Sequence, residues 1–182
     1  MRIRLREAYS PEQLKQVYAE PHSHWQFVDH RLRVAMTVAF AQWFAPVNSL
    51  ADLSCGDAVI PNNIEAGVRY LGDFAPGYEF QGAIDDTIDS IPNVDLFICS
   101  ETIEHLDDPE ATLAKIRKKT KALIVTTPNG ENNNNNPQHY WGWDTDGVRE
   151  LLTGAGFKPV ISNVLKFETP QYVYDYQFWG CE

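Results

Sequence analysis

Five short apolar runs constrain the fold of this chain more than any other feature of its sequence. They cover residues 49–53, 68–73, 78–83, 94–99 and 122–127. Runs of this length, bounded by small and polar residues, predict β-strands, and the third run is the weakest of them. Between the last two, Asp108 and Pro109 are typical of a helix start, and lysines and an arginine crowd the end of that helix. Strands that alternate with helices predict an α/β fold with a mostly parallel sheet.

Sequence spacing also bears on two of the connections in this sheet. Residues 158–168 and 171–180 flank Pro170, which predicts a C-terminal antiparallel hairpin. Only about four residues separate the second strand from the third, whereas a parallel crossover needs about a dozen. The third strand is therefore either reached by a truncated connection or placed elsewhere.

The first part of the chain has helical patterning. Ser10, followed by a proline, is typical of a helix start. Apolar residues at helical spacing run from near Trp25 towards Pro46, where the segment is expected to end. We therefore predict one domain, in which residues 1–48 are an N-terminal helical cap and residues 49–182 are the core.

Composition excludes several classes of protein. Hydrophobic residues make up 43% and charged residues 22%, as in globular domains. The net charge of −10 argues against a large nucleic-acid surface. Neither an 18-residue apolar run nor an apolar leader segment is found, so we expect no membrane span, no secretory signal and a cytoplasmic location. Three scattered cysteines, Cys55, Cys99 and Cys181, are too few for a disulfide framework.

The segment after the first strand is suited to binding a ligand. Gly56, flanked by the small residues Ser54 and Ala58, lets the backbone approach a ligand closely. Asp73 ends the second strand about 17 residues later, and a carboxylate there can accept hydrogen bonds from a ribose diol. Because ligands bind beyond the carboxyl ends of parallel strands, we expect the loop and Asp73 to hold one nucleoside.

Residues 52–58, Asp-Leu-Ser-Cys-Gly-Asp-Ala, resemble the first motif of class I S-adenosylmethionine-dependent methyltransferases. That motif reads Asp-x-Gly-x-Gly-x-Gly, and Ser54 and Ala58 stand where it has glycines. The resemblance covers about residues 48–180 and includes residues 94–101, 126–129 and 154–157. It implies a compact Rossmann-like fold with S-adenosylmethionine as cofactor. The cofactor-binding residues that it implies are Asp52, Ser54, Cys55, Gly56, Asp73, Ile84, Asp85 and Ser100.

In this resemblance the residues divide by the part of the cofactor they contact. Ser54 and Gly56 would hold the methionine part, and Asp73 would bind the ribose hydroxyls. Ile84 and Asp85 would flank the adenine. Ser100, with Glu101 after it, would lie beside the sulfonium and the acceptor.

A second candidate motif follows the fourth strand. Glu101, Glu104 and His105 would share one face if the segment forms a helical turn. His139 lies in the loop after the fifth strand, on the same side of the sheet. Carboxylates and imidazoles together can hold a divalent metal, and the same groups can instead act as a general base or position the acceptor. A purely structural role for His105 is the third interpretation.

The Glu-x-x-Glu-His pattern resembles two groups of metal-dependent methyltransferases: the small-RNA 3′-end 2′-O-methyltransferases and the ubiquinone-biosynthesis O-methyltransferases. In the first group a Thr-Pro-Asn segment and a later histidine follow, as they do here at residues 127–129 and 139. This resemblance implies that Mg²⁺ or Mn²⁺ polarises the acceptor hydroxyl. Methyltransferases of the same class without a metal also carry the pattern. The implied catalytic and metal-binding residues are Glu101, Glu104, His105 and His139.

The expected reaction is methyl transfer to an oxygen, less readily a nitrogen, of a small molecule. Trp141 and Trp143 are candidates for the wall of the acceptor pocket, and residues 21–25 with His30 and Arg31 for a lid over the site. Three alternatives remain open. The first is an RNA 2′-O-methyltransferase, which the net charge disfavours. The second is a non-catalytic nucleotide-binding or interaction protein, and the third is an NAD-dependent oxidoreductase.

Overall fold

The computed structural model describes residues 1–23, 28–131, 136–168, 170 and 173–182. Most of the chain belongs to strands and helices that alternate along the sequence. The strands are β1 (Arg2–Arg4), β2 (Val47–Asp52), β3 (Ala66–Asp73), β4 (Phe80–Gln81), β5 (Val94–Ser100), β6 (Thr120–Pro128), β7 (Trp141–Trp143), β8 (Pro159–Glu168) and β9 (Val173–Cys181). The helices are α1 (Pro11–Val17), α2 (Val28–Ala41), α3 (Val59–Asn62), α4 (Ile84–Thr87), α5 (Pro109–Lys119) and α6 (Thr145–Gly154).

Seven strands form the central sheet, in the order β4-β3-β2-β5-β6-β9-β8. The first five in this order are parallel, and β9 runs antiparallel to both β6 and β8. This confirms the predicted α/β architecture and the C-terminal hairpin. The order reverses direction between β2 and β5, so their carboxyl ends open a crevice where ligands bind in such sheets.

Residues of β5 show how the sheet is covered on both faces. Leu96 and Ile98 pack with apolar residues of α2 and α3, whereas Phe97 and Cys99 pack with those of α5 and α6. Successive side chains of a strand point to opposite faces, so a strand buried on both faces is apolar throughout. The helices thus form one layer on each side of the sheet.

The connection from β3 to β4 is short, as one of the two sequence-based interpretations required. Residues 74–79 link the strands without a helix, and β4 itself has only two residues, paired parallel to Gly72 and Asp73. A Cβ on Gly72 would lie 2.5 Å from the carbonyl oxygen of Phe80. Glycine at this position therefore allows the two strands to approach closely.

The N-terminal region is not wholly helical, so the prediction for residues 1–48 was incomplete. β1 pairs antiparallel with β7 in a separate two-stranded sheet. Helix α1 begins as predicted, because the side chain of Ser10 accepts a hydrogen bond from the backbone N–H of Gln13. Helix α2 ends at Ala41, several residues before Pro46, and the expected start near Trp25 lies outside the described residues. Among the described residues, none of the helices has the length and apolar character required to cross a bilayer.

Candidate functional site

The loop after β2 and the end of β3 are joined directly by a carboxylate. The backbone N–H of Gly56 donates to Oδ2 of Asp73 at 2.8 Å, and the N–H of Ala75 donates to Oδ1 at 2.9 Å. Gly56 has a φ of 56°, a left-handed conformation that glycine adopts without strain. The structure thus brings the predicted loop and the predicted acid together at neighbouring strand ends.

Two other members of the first motif, Asp52 and Cys55, lie buried beside this loop. The buried carboxylate of Asp52 accepts a hydrogen bond from the backbone N–H of Ser54 at 3.1 Å. Burial raises the pKa of Asp52 to about 7. Burial also raises the pKa of the Cys55 thiol, so this cysteine is a small apolar group and not a nucleophile. Neither Asp52 nor Cys55 lines the adjacent pocket, so any contribution they make to cofactor binding is indirect.

Ala58 occupies a position where the methyltransferase motif has glycine. Its φ is 57°, and it is buried at the start of α3. A left-handed conformation costs an L-residue other than glycine about 1–2 kcal/mol. The loop therefore keeps the conformation that glycine usually provides, at a cost in stability.

A pocket of about 830 Å³ opens at the carboxyl ends of the parallel strands. Its volume lies in the range of pockets that bind cofactors and drug-sized molecules. The pocket extends from the loop after β2 to the segment after β5. It brings together ten of the predicted catalytic and cofactor-binding residues: Ser54, Gly56, Asp73, Ile84, Asp85, Ser100, Glu101, Glu104, His105 and His139.

The segment after β5 differs from the predicted helical turn. Glu101 has a φ of 51°, and only residues Ile103–His105 form a turn, of the tighter 3-10 type. In a 3-10 turn, residues three apart share a face, and the left-handed residue redirects the chain before the turn begins. Glu104, His105 and His139 each offer a ligand atom, and these atoms all lie within 4.8 Å of one another. Glu101 lies outside this group, so the predicted four-residue cluster is reduced to three.

Both histidines of this group are held by their Nδ1 atoms. Nδ1–H of His105 donates to the carbonyl oxygen of Gln138 at 2.9 Å, which leaves Nε2 3.8 Å from Glu104. Nδ1–H of His139 donates to Glu131 at 2.8 Å, and Nε2 accepts from the Asn136 amide at 2.9 Å. Such contacts fix the tautomer of each ring. Nε2 is therefore the basic atom on both rings.

The electrostatic state of the group is dominated by burial. Glu104 is buried and Glu101 lies half-buried close to it, and desolvation raises the pKa of both carboxyls. Repulsion from Glu101 adds to the rise in pKa at Glu104, whereas the Arg33 guanidinium opposes the rise at Glu101. Among the described residues, one oxygen of each of these carboxyls has no hydrogen-bond partner. Burial lowers the pKa of His105 to about 3, so this imidazole is neutral near pH 7. A proton or a cation beside Glu104 would offset the cost of burying its carboxylate.

Helix α2 contributes pocket residues that sequence reasoning missed. Arg33 is buried, and its Nη1 donates to Ser100 Oγ at 3.0 Å while its Nε has no hydrogen-bond partner among the described residues. Asp29, one turn earlier, accepts a hydrogen bond from the hydroxyl of Tyr176 at 2.8 Å. The i, i+4 spacing of an acid and an arginine on an apolar helix was the available signal. No such signal marks Tyr174 and Tyr176 on β9, because the register of a strand decides which of its side chains face the pocket.

The two tryptophans do not form the predicted wall of the pocket, and only some residues of the predicted lid line it. Trp143 is buried in the core and stacks on Trp141 at 5.7 Å, and neither lines the pocket. Both tryptophans belong to β7, where pairing with β1 directs them towards Arg2. Of the predicted lid, His22 and His30 line the pocket and Arg31 does not. His24 and Trp25 lie outside the described residues.

The sheet order, the two helical layers and the crevice define the Rossmann-like fold of methyltransferases, and solved structures agree. N-methyltransferase NodS from Bradyrhizobium japonicum WM9, in complex with S-adenosyl-L-homocysteine, matches with a TM-score of 0.68, 10% identity and coverage of 93% of this chain and 96% of that chain. Magnesium protoporphyrin IX methyltransferase (ChlM) from Synechocystis PCC 6803, with bound S-adenosylhomocysteine, matches with a TM-score of 0.64, 12% identity and coverage of 93% and 92%.

A third solved structure is similar over almost the whole chain. It is 1,6-didemethyltoxoflavin-N1-methyltransferase from Burkholderia thailandensis, with bound 1,6-didemethyltoxoflavin and S-adenosylhomocysteine. Its TM-score is 0.63, with 16% identity and coverage of 97% of this chain and 91% of that chain. No protein-family model and no curated protein matches the sequence. Similarity at these identities establishes the fold.

Proposed function

We propose that this protein is an S-adenosylmethionine-dependent methyltransferase that transfers a methyl group to an oxygen of a small molecule. The observation that carries the proposal is the hydrogen bond between Gly56 and Asp73. Both residues line the same pocket as Glu104 and His139. Three solved methyltransferases of the same fold contain S-adenosylhomocysteine, which supports the choice of cofactor.

The contacts of Asp73 indicate where the nucleoside would bind. Each of its oxygens already accepts one backbone N–H, and a carboxylate oxygen has a second lone pair for a ribose hydroxyl. Ile84 and Asp85 lie at the next strand end, where the adenine would be placed. Hydrogen bonding to charged Asp73 would thus fix the nucleoside and the loop together.

The methionine part of the cofactor carries a carboxylate that needs a cationic partner. Arg33 lies beside Ser100 at the end of β5, and its Nε has no hydrogen-bond partner among the described residues. A buried guanidinium with a free N–H is well suited to bind a carboxylate. Binding there would orient the sulfonium towards Glu101 and the acceptor side of the pocket.

Methyl transfer is an in-line displacement, and the protein acts mainly by positioning the reactants and excluding water. The acceptor hydroxyl must lose its proton, so a base within hydrogen-bond distance is required. His105 is a weak base, because its pKa is lowered to about 3. Glu104 is the stronger candidate because burial raises its pKa, whereas Nε2 of His139 already accepts a hydrogen bond from the Asn136 amide.

The same residues suit a divalent cation. Glu104 has an oxygen without a hydrogen-bond partner among the described residues, and both imidazoles donate Nδ1–H to acceptor oxygens, which leaves Nε2 as the ligand atom. At His139 the metal would replace the hydrogen bond from the Asn136 amide. We infer that Glu104, His105 and His139 would hold Mg²⁺ or Mn²⁺. When bound, the metal would supply Lewis-acid polarisation of the acceptor hydroxyl.

Calorimetric titration tests the proposal. The protein is titrated with S-adenosylmethionine, S-adenosylhomocysteine and NAD, each in EDTA and in Mg²⁺ or Mn²⁺. Micromolar binding of both adenosyl ligands and no binding of NAD is the expected result. Binding of NAD alone would refute the proposal and favour an oxidoreductase. Equal affinities with and without a metal, together with no heat on adding the metal, would refute the metal site and leave Glu104 as a base.

A further inference from the structure

The carboxylate of Glu131 lies outside the pocket lining, yet both of its oxygens contact side chains that line the pocket. Oε2 accepts Nδ1–H of His139 at 2.8 Å, and Oε1 accepts the hydroxyl hydrogen of Tyr174 at 2.8 Å. The side chain of Glu131 is only 11% exposed. Two charge-assisted hydrogen bonds to different elements therefore hold this carboxylate in one orientation.

The backbone that carries Glu131 is fixed by strand β7. The N–H of Gly130 donates to the carbonyl oxygen of Trp143 at 2.6 Å. A Cβ on Gly142 would overlap the carbonyl oxygen of Glu131, so glycine at this position lets the two segments approach closely. β7 is in turn paired with β1. The small two-stranded sheet, which lies apart from the central sheet, thus supports the backbone of Glu131.

The two histidines of the pocket differ in the partner of Nδ1. Nδ1–H of His105 donates to the backbone carbonyl of Gln138, whereas Nδ1–H of His139 donates to the carboxylate of Glu131. Hydrogen bonds to an ionised group are roughly twice as strong as those between neutral groups. The other nitrogen of His139, Nε2, contacts the amide of Asn136, which lines the pocket. The carboxylate therefore holds the ring by the nitrogen that is directed away from the pocket residues.

We propose that Glu131 is a positioning residue, which keeps the proton of His139 on Nδ1 so that Nε2 is the atom presented to the pocket. Tyr174 holds the second oxygen of Glu131. The inference rests on the proposed function, in which Nε2 of His139 binds the metal. A ring nitrogen that carries a proton cannot bind a metal, and the hydrogen bond made by one nitrogen decides whether the other is free of a proton.

Proton–nitrogen correlation NMR of the histidine rings shows which nitrogen carries the proton, and it needs neither a metal nor an acceptor. In EDTA at pH 8 we expect the proton of His139 on Nδ1, with the signals assigned through a His139→Gln variant. Glu131→Ala removes the acceptor of Nδ1–H, so the signals should shift towards the form with the proton on Nε2. Glu131→Gln keeps an oxygen acceptor at the same length and should retain the proton on Nδ1. A role of Glu131 in stability alone would leave the tautomer unchanged in both variants.

Calorimetry with Mn²⁺ measures the consequence for the metal site. Losing the partner of a ligating histidine typically costs about 10–100-fold in metal affinity, so Glu131→Ala should weaken Mn²⁺ binding by this factor and Glu131→Gln by less. The exposed acid Glu150 provides the matched control, and Glu150→Ala should change neither the tautomer nor the affinity. S-adenosylhomocysteine should bind all of these proteins alike, which shows that the pocket remains folded.

The outcomes separate this inference from the proposed function. A proton on Nε2 in the unmodified protein, or the same tautomer and the same Mn²⁺ affinity in Glu131→Ala, would overturn the inference. Should Glu131→Ala fail to fold, Glu131→Asp, whose shorter side chain retracts from Nδ1, takes its place with the same expected shifts. If S-adenosylhomocysteine binds and Mn²⁺ does not, the inference fails together with the metal site while the choice of cofactor stands. Failure of S-adenosylhomocysteine to bind would refute the proposed function itself.

Discussion

Replacing Asp73 with asparagine perturbs the contact on which the nucleoside site depends. Its two oxygens accept the N–H groups of Gly56 and Ala75 at 2.8 and 2.9 Å, and the side chain is only 9% exposed. In Asp73→Asn the amide oxygen can accept one of these N–H groups, and the other then faces an NH₂ donor. A hydrogen bond to a charged group contributes about 1.5–3 kcal/mol, and a buried unpaired donor costs about 1–3 kcal/mol.

We therefore expect Asp73→Asn to lose about 2–4 kcal/mol of the free energy of unfolding in urea. The dissociation constant for S-adenosylhomocysteine should rise about 10–100-fold, because one or two ribose hydrogen bonds are also lost. The exposed acid Asp89 provides the control, and Asp89→Asn should change neither quantity. Unchanged affinity in Asp73→Asn would refute the ribose role, and unchanged stability as well would refute the structural link to Gly56.

Three further predictions concern the loop and its surroundings. Arg33→Gln should weaken S-adenosylhomocysteine about 10–100-fold in calorimetry and leave 5′-methylthioadenosine, which lacks the carboxylate, unchanged; equal losses would mean that Arg33 is structural. Burial raises the pKa of Asp52 to about 7 in the folded protein, whereas in the unfolded chain this pKa returns to the ordinary aspartate value of 3.8. Its contribution to stability is therefore full below about pH 4 and lost as pH rises to about 7, by up to about 4 kcal/mol. Asp52→Asn should remove this loss, so the free energy of unfolding in urea should fall less between pH 5 and pH 8 in the variant than in the unmodified protein. An equal fall in both proteins would contradict the raised pKa of Asp52. Ala58→Gly should raise the free energy of unfolding by about 0.5–1 kcal/mol, because glycine adopts a φ of 57° without strain; a decrease would show that the left-handed conformation carries no cost.

The parts of the fold that local patterns encode were predictable from the sequence. Ser10 and Asp108 mark helix starts through their own side chains, and the structure shows both as helix caps. The apolar run of β6 and the hairpin around Pro170 likewise depend on neighbouring residues. The Gly56 loop and Asp73 were placed together because parallel strands bring their carboxyl ends to one edge of the sheet.

Features that depend on distant pairing were not predictable. The three-residue strand β1 has no periodicity of its own, and its pairing with β7 directs Trp141 and Trp143 away from the pocket. The left-handed φ of Glu101 breaks the helical turn that its spacing suggested. Strand propensity cannot show which face of β9 carries Tyr174 towards the pocket, because a shift of one residue would reverse every side chain.

The crystal structure of the complex with S-adenosylhomocysteine would test the central claim most directly. We predict that the ribose hydroxyls lie within hydrogen-bond distance of Asp73, with the homocysteine carboxylate on Arg33 and the sulfur facing Glu101. A nucleoside bound away from the carboxyl ends of β2 and β3, or one that leaves Asp73 without a ligand contact, would contradict the account.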